Sequence, residues 1–404
     1  MSVAQSEEII RIAAKGDGVS ESGSHHPLTV PGDRVGAEGT VTRGPHFVEA
    51  PCSHFGTCGG CQLQHADEET LSRFVRDRVI NAASGQGLAI GEELPVYLSP
   101  PRTRRRASLH GLRTSKNAVV GFKQSGSHQL IDVNDCHILD PLLSGLIAPL
   151  RTFASKFGPR GSFDVGLALC DQGLDCSLTH FPLEGLEATE ATLDFARDHG
   201  LARLSIDQGY GPETVWEPEP ATITLSNHAV GMPAGAFLQA THDAEEQMLA
   251  DAGQWFDGTG VIADLFAGLG TFAFALAKSE TVGRKVLAAE ADHAAHLSLK
   301  SAANRSGGRV HALHRDLFRN PLQAAELNRF GGVLLDPPRA GAKAQIAEIA
   351  QSTLSRVVYV SCNPSSWARD AAVLGQAGFT LAKLRPIGQF RWSTHVELTS
   401  LFVR

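Results

Sequence analysis

The spacing of apolar and polar residues changes character along the chain. Up to residue 48 the apolar runs are short and are broken by Gly16, Gly18, Gly23, Gly32, Gly36, Gly39 and Gly44. Frequent turns between short strands predict a small barrel. From Glu68 to about Ala83, Leu71, Phe74, Val75, Val79 and Ile80 recur at helical spacing. Between about 140 and 230 prolines interrupt the pattern, and only Leu193 to His199 reads as helix. From Val261 the rhythm becomes regular. Apolar runs at Val261–Leu265, Val286–Ala289, Val310–Leu313, Val333–Leu335 and Val357–Val360 alternate with helical segments such as Phe272–Lys278 and Asp292–Asn304. This α/β alternation predicts a parallel sheet with crossover helices. Right-handed crossovers put the strand C-termini on one edge, where such sheets bind ligands.

The residues that follow those strands carry the candidate chemistry. Ala267-Gly268-Leu269-Gly270 leaves the first strand and opens a helix, so backbone there can approach a ligand closely. Asp264 beside this loop would repel a pyrophosphate but suits a cation. Glu290, ending the next strand, is placed for ribose hydroxyls. Together they favour S-adenosylmethionine, which is positively charged, over a dinucleotide. Cys362 follows the fifth strand at the same edge and is a candidate nucleophile. A methyltransferase acting on a pyrimidine needs one, because C5 is a poor nucleophile until a thiolate has added to C6. A base must then remove the C5 proton, and Glu397 is the only acid after Asp370.

Seven cysteines, and no basic segment before an apolar run at the N-terminus, predict a reducing cytoplasm and no secretory signal. Cys52, Cys58 and Cys61 fall within ten residues, and Cys136 is the nearest fourth ligand. Spacing leaves zinc and an iron–sulfur cluster both open. Cys170 and Cys176 read as structural.

The chain has 404 residues, 42% of them apolar, which suits two or three domains and excludes a mostly disordered protein. No run of about 18 apolar residues suggests a membrane span. The net charge of −7 leans against a nucleic-acid partner. The window Leu94–Ile131 reverses that inference. It holds Arg102, Arg104, Arg105, Arg106, Arg113, Lys116 and Lys123 with no acid, as expected of a phosphate-facing patch.

These motifs resemble those of the uracil-C5 RNA methyltransferase family, which makes 5-methyluridine in ribosomal or transfer RNA. Gly235-Ala-Phe237-Leu-Gln239, Asp264-Leu-Phe266-Ala-Gly268-Leu-Gly270-Thr271-Phe272, Asp336-Pro-Pro-Arg339-Ala-Gly341 and Ser361-Cys362-Asn363-Pro364 carry the likeness, with Ala368-Arg369-Asp370 beyond them. The resemblance implies a Rossmann-like class I methyltransferase domain at 231–404. It also implies a TRAM-like RNA-binding β-barrel (of the OB type) at 1–48, on Lys15-Gly-Asp-Gly18-Val and Val30-Pro-Gly-Asp33-Arg-Val35. The region 49–230 becomes an α+β domain whose Cys52, Cys58, Cys61 and Cys136 ligate a 4Fe-4S cluster. Cys362 becomes the nucleophile and Glu397 the proton acceptor. Gln239, Phe266, Gly268, Gly270, Glu290, Asp316 and Asp336 become the S-adenosylmethionine site. The expectation is a monomer acting on rRNA or tRNA. Two alternatives stand beside it: methylation of another base position with Cys362 structural, or a non-enzymatic RNA-binding iron–sulfur protein.

Overall fold

The computed structural model describes residues 6–278 and 283–404. Residues 1–5, part of the segment expected to start a barrel and to carry no secretory signal, lie outside the described residues.

The N-terminal strands are β1 (Glu7–Ile12), β2 (Gly18–Ser20), β3 (His25–His26), β4 (Arg34–Val35) and β5 (Val41–Thr42). They form one sheet in the order β3-β2-β1-β4-β5. The outer strands are two residues long and do not pair with each other, so the expected barrel is an open half-barrel. Buried Asp33 ties its loops, accepting from the N–H groups of Val30 (3.1 Å) and Gly44 (2.7 Å) and from Arg43 (2.9 Å).

Helix α1 (Glu68–Gly85) is capped by Asp67, which accepts from the Thr70 N–H at 2.8 Å. Leu71, Phe74, Val75 and Val79 form its buried stripe. Strands β6 (Ile90–Glu93) and β7 (Tyr97–Leu98) follow. Residues 90–98, expected in the central region, instead pair with a strand near the C-terminal end of the fold.

The central unit comprises β8 (Arg106–Arg113), β9 (Ala118–Lys123), β10 (Leu130–Asp132), α2 (Pro141–Phe157), β11 (Gly161–Cys170), β12 (Gly173–Thr179), α3 (Gly185–Asp198), β13 (Leu201–Asp207) and β14 (Pro212–Trp216). Its sheet runs β10-β9-β8-β11-β12-β13-β14. Phe163, Val165 and Leu167 alternate inward on β11 and meet Leu143, Ile147 and Leu150 of α2 in one core. Cys176 is fully buried there, as its structural reading predicts.

The basic window does not form one solvent-facing patch. Arg105 is buried and donates to Glu245 (2.5 Å) and to the Gln239 carbonyl (3.0 Å). Arg113 donates to the Gly158 carbonyl. Arg104 and Arg106 are half-buried. Lys116, Lys123 and Arg102 remain exposed, and Arg102 lies 3.7 Å from Asp135. Strand alternation and the carbonyls left over at a helix end turn cations inward, which a count along the sequence does not register.

A hairpin of β15 (Thr222–Leu225) and β16 (His228–Gly231) leads to α4 (His242–Trp255) and the last layer. That layer contains β17 (Val261–Leu265), α5 (Thr271–Ala277), β18 (Lys285–Glu290), α6 (His293–Arg305), β19 (Val310–His314), α7 (Ala324–Leu327) and β20 (Gly332–Leu335). It continues through α8 (Lys343–Gln351), β21 (Arg356–Ser361), α9 (Pro364–Gln376), β22 (Thr380–Gly388) and β23 (Glu397–Val403). The sheet order is β19-β18-β17-β20-β21-β23-β22-β6, with β7 also on β22. Strands β17 to β21 are mutually parallel, a Rossmann-like arrangement. Strand β23 inserts antiparallel between β21 and β22, so its first residue lies at the edge where the parallel strands end. Val30 and Leu63 share a core with this layer, which seats the half-barrel and the cysteine segment on it. No helix among the described residues is long and apolar enough to cross a membrane.

Candidate active site

The strand order reverses between β17 and β20, and a cavity of about 660 Å³ opens at their C-terminal edge. Gln239, Phe266, Gly268, Glu290, Asp336, Cys362 and Glu397 all line it. Gly270 and Asp316 are not in its wall; they shape the segments behind it. Gly270 caps α5 at φ +96°, and a Cβ there would stand 2.6 Å from Leu299 Cδ1. Asp316 accepts from the Phe318 N–H at 2.9 Å and so holds the turn that presents Phe318 to the cavity.

The loop after β17 is shaped by Phe266, a non-glycine residue at φ +67°. Such a conformation costs on the order of 1–3 kcal/mol and persists where surrounding contacts impose it. Here the Phe266 ring meets Phe318 at 5.3 Å. Glu290 is clamped by three backbone N–H groups, from Gly268 (2.7 Å), Ala291 (2.8 Å) and Asp292 (2.7 Å). Asp264 lies behind the loop, fully buried, and no group among the described residues makes a well-formed hydrogen bond to its carboxylate oxygens, the Ala273 N–H giving only weak relief. Burial pushes it up to about 7.

Cys362 follows β21 directly and precedes Asn363, the cap of α9, whose side chain accepts from the Ser365 N–H at 3.1 Å. The N-terminus of α9, the positive end of its dipole, thus begins one residue after Cys362. Burial, then Glu397 and Asp336, push the thiol up to about 11, while Arg339 acts against them. Glu397 reaches the same edge because Leu398 of β23 pairs with Ser361. Burial pushes its carboxyl up to about 7. Asp336 accepts from Gln239 Nε2 at 2.9 Å and is also raised, chiefly by burial and next by Glu397.

Three wall or support residues had no site role from the sequence, and a fourth, Arg106, was expected in the phosphate-facing patch instead. Arg339 and Phe318 line the cavity. Arg106 stacks over the cavity-lining Phe237, 4.4 Å from its ring centroid. Gln389 is buried between Gln239 and Glu397. The motif Asp336-Pro-Pro-Arg339 marked the neighbourhood of Arg339, but no sequence signal marked Gln389.

The segment between β22 and β23 forms a strap that ends at Glu397. The Trp392 carbonyl accepts from the N–H groups of Gln62 (2.8 Å) and Leu63 (2.9 Å), and Gln62 Oε1 accepts from the Thr394 N–H at 3.3 Å. Arg104 lies 5.2 Å from the Phe390 ring centroid. The strap is therefore braced by the residues directly after Cys61.

Cys52, Cys58, Cys61 and Cys136 line one cavity of about 50 Å³ together with Arg104. Glycine at 59 lets the cysteine loop press against the end of β9, since a Cβ there would stand 2.8 Å from the Lys123 carbonyl oxygen. Burial raises the Cys58 and Cys136 thiols and pushes Cys61 up to about 12. Among the described residues, no group of three or more Cys, His, Asp or Glu side chains converges closely enough to share a single ion.

Residues 224–404 match the family model for tRNA (uracil-5-)-methyltransferase. An uncharacterized RNA methyltransferase of Zymomonas mobilis is 47% identical, over 98% of this chain and 100% of its own. The 23S rRNA (uracil(1939)-C(5))-methyltransferase RlmD of Pectobacterium atrosepticum is 30% identical, over 90% of this chain and 82% of its own. The solved Pyrococcus abyssi tRNA (uracil-54, C5)-methyltransferase, in complex with S-adenosyl-L-homocysteine, has a similar fold. It shows a TM-score of 0.73 at 17% identity, covering 99% of this chain and 100% of that one.

Proposed function

Since the chain belongs to the S-adenosylmethionine-dependent RNA (uracil-5-)-methyltransferase family, we propose that it methylates a uracil C5 of ribosomal RNA through a covalent Cys362 adduct. The observation that carries this reading is the shared wall of one cavity, where Cys362 and Glu397 stand with Gln239, Phe266, Glu290 and Asp336. The ribosomal target follows the 30% identical relative. S-adenosylmethionine, when bound, supplies an electrophilic methyl group, and Gln239, Phe266, Gly268, Glu290 and Asp336 hold it. Gly270 and Asp316 act indirectly, by shaping the loop and turn around it. Cys362 Sγ bonds to C6 and pushes the C5=C6 electron pair toward O4, which makes C5 nucleophilic. Arg339 and the α9 terminus stabilise the thiolate. After C5 carries the methyl group, Glu397 takes the C5 proton, the double bond re-forms and Sγ leaves. The half-barrel and central sheet bind the RNA, and the protein acts as a cytoplasmic monomer. Nucleoside-resolved mapping of RNA from a strain lacking the gene should show loss of one 5-methyluridine from rRNA. Loss from tRNA would move the substrate, and loss of a methyl group on another base would overturn the uracil assignment.

We also assign Cys52, Cys58, Cys61 and Cys136 to a 4Fe-4S cluster. In a cubane each thiolate binds a different iron, so the sulfurs stand further apart than the ligands of one ion. Full cysteine ligation leaves no open iron, which gives the cluster a structural role. Protein purified without air should be brown, with broad visible absorption, and should contain iron and sulfide. A colourless protein containing zinc would refute the assignment.

A further inference from the structure

We propose that Gln389 is the positioning residue of the elimination step, holding the catalytic carboxylate of Glu397 through a hydrogen bond whose direction the backbone fixes. The inference rests on the reading of Glu397 as proton acceptor.

Gln389 is 3% exposed and follows β22 at the start of the strap. Its Oε1 accepts from the Ala240 N–H at 3.2 Å. A backbone N–H can only donate, so the amide oxygen must face it and the NH₂ group must face away. That NH₂ has two hydrogens and two acceptors: Glu397 Oε1 at 2.8 Å and Gln239 Oε1 at 3.2 Å. Gln239 is thereby oriented too, and its own NH₂ donates to Asp336 at 2.9 Å. One N–H thus sets the polarity of a chain that delivers a donor to each of two carboxylates. Neither amide can flip without placing oxygen against oxygen.

The arrangement has a direct use at the chemical step. Glu397 Oε1 is committed to Gln389, so Oε2 is the oxygen left for the C5 proton. The donor also favours the ionised carboxylate in a place where burial opposes it. None of these hydrogen bonds ends on Cys362, which senses the two carboxylates only through their charge, so addition to C6 should change far less than release.

The test separates adduct formation from adduct release in single-turnover reactions resolved on denaturing gels. Gln389→Met preserves size but removes the amide. It should form the protein–RNA adduct within about threefold of the parent rate and release it about ten- to a hundredfold more slowly. Gln389→Glu places an acceptor where the donor stood and should show the same fault; it carries the test if the methionine variant does not fold. Release at the parent rate would overturn the proposal, as would an equal fall in formation and release. Glu397→Gln run in parallel distinguishes the two levels. If it releases normally, the reading of Glu397 fails and this proposal with it. If it stalls while Gln389→Met releases normally, only the role of Gln389 is lost.

Discussion

Replacing Cys362 with Ala is expected to lower methyl transfer by at least about 10⁴-fold, because the entire route to a nucleophilic C5 passes through the sulfur. The substitution should leave the fold and the cofactor site in place. Cys362 is only half-buried and sits one residue beyond β21, whose pairing with β20 and β23 does not depend on its side chain. The cofactor side of the cavity is built by Phe266, Glu290 and Asp336 on other strand ends. S-adenosylhomocysteine affinity, measured by calorimetry, should therefore stay near the parent value. Transfer of radiolabelled methyl groups and the covalent RNA band should both disappear. Full turnover by the variant would sink the covalent mechanism.

Glu397→Gln should give the opposite gel phenotype, a covalent protein–RNA band that accumulates and does not clear. Addition and methylation need Cys362, whereas only the final proton removal needs the carboxylate. Turnover should fall by about 10²–10⁴-fold, the usual range for loss of a general base. The same group sets a pH dependence. Burial raises Glu397 from 4.5 to about 7, so adduct release by the parent should rise with pH through about 7 and then level off. Stability runs the other way. A carboxyl raised by folding contributes stability in full below its unfolded value, and that contribution is lost as pH rises through about 7. Above that pH the Gln variant should resist denaturant better than the parent. A variant that clears its adduct at the parent rate would remove Glu397 from the mechanism.

The legibility of the sequence follows the range of the interactions involved. The parallel strands were readable because each is a short apolar run ended by a residue that cannot be buried freely, such as Glu290 or Asp336. Position at the edge then follows from handedness alone. The antiparallel insertion of β23 was not readable, since nothing local in Glu397–Val403 says which strands flank it. Glu397 stood out nonetheless as the sole acid in its stretch, and it lines the cavity. Gln389 was invisible for the opposite reason. It is one uncharged polar residue in an aperiodic segment, and the role proposed for it rests on partners at Gln239, Ala240 and Glu397. Arg105 misled because charge was counted along the chain, while its destination is a buried carboxylate on α4. The half-barrel was legible as short strands, but their closure depends on edge lengths that turns alone do not set.

The pairing of β6 with β22 also dictates an order of assembly. Ile90 lies opposite Leu381, about 290 residues away, so this edge forms only after a very long loop has closed. The central sheet is contained within that loop, and its hairpins join neighbours such as Leu169 and Leu174. Contacts of short span form sooner than contacts of long span. Refolding from denaturant should therefore yield a folded central unit first. The sheet that carries both Cys362 and Glu397 becomes complete only when the early strand returns, so recovery of the active site should lag behind recovery of bulk secondary structure.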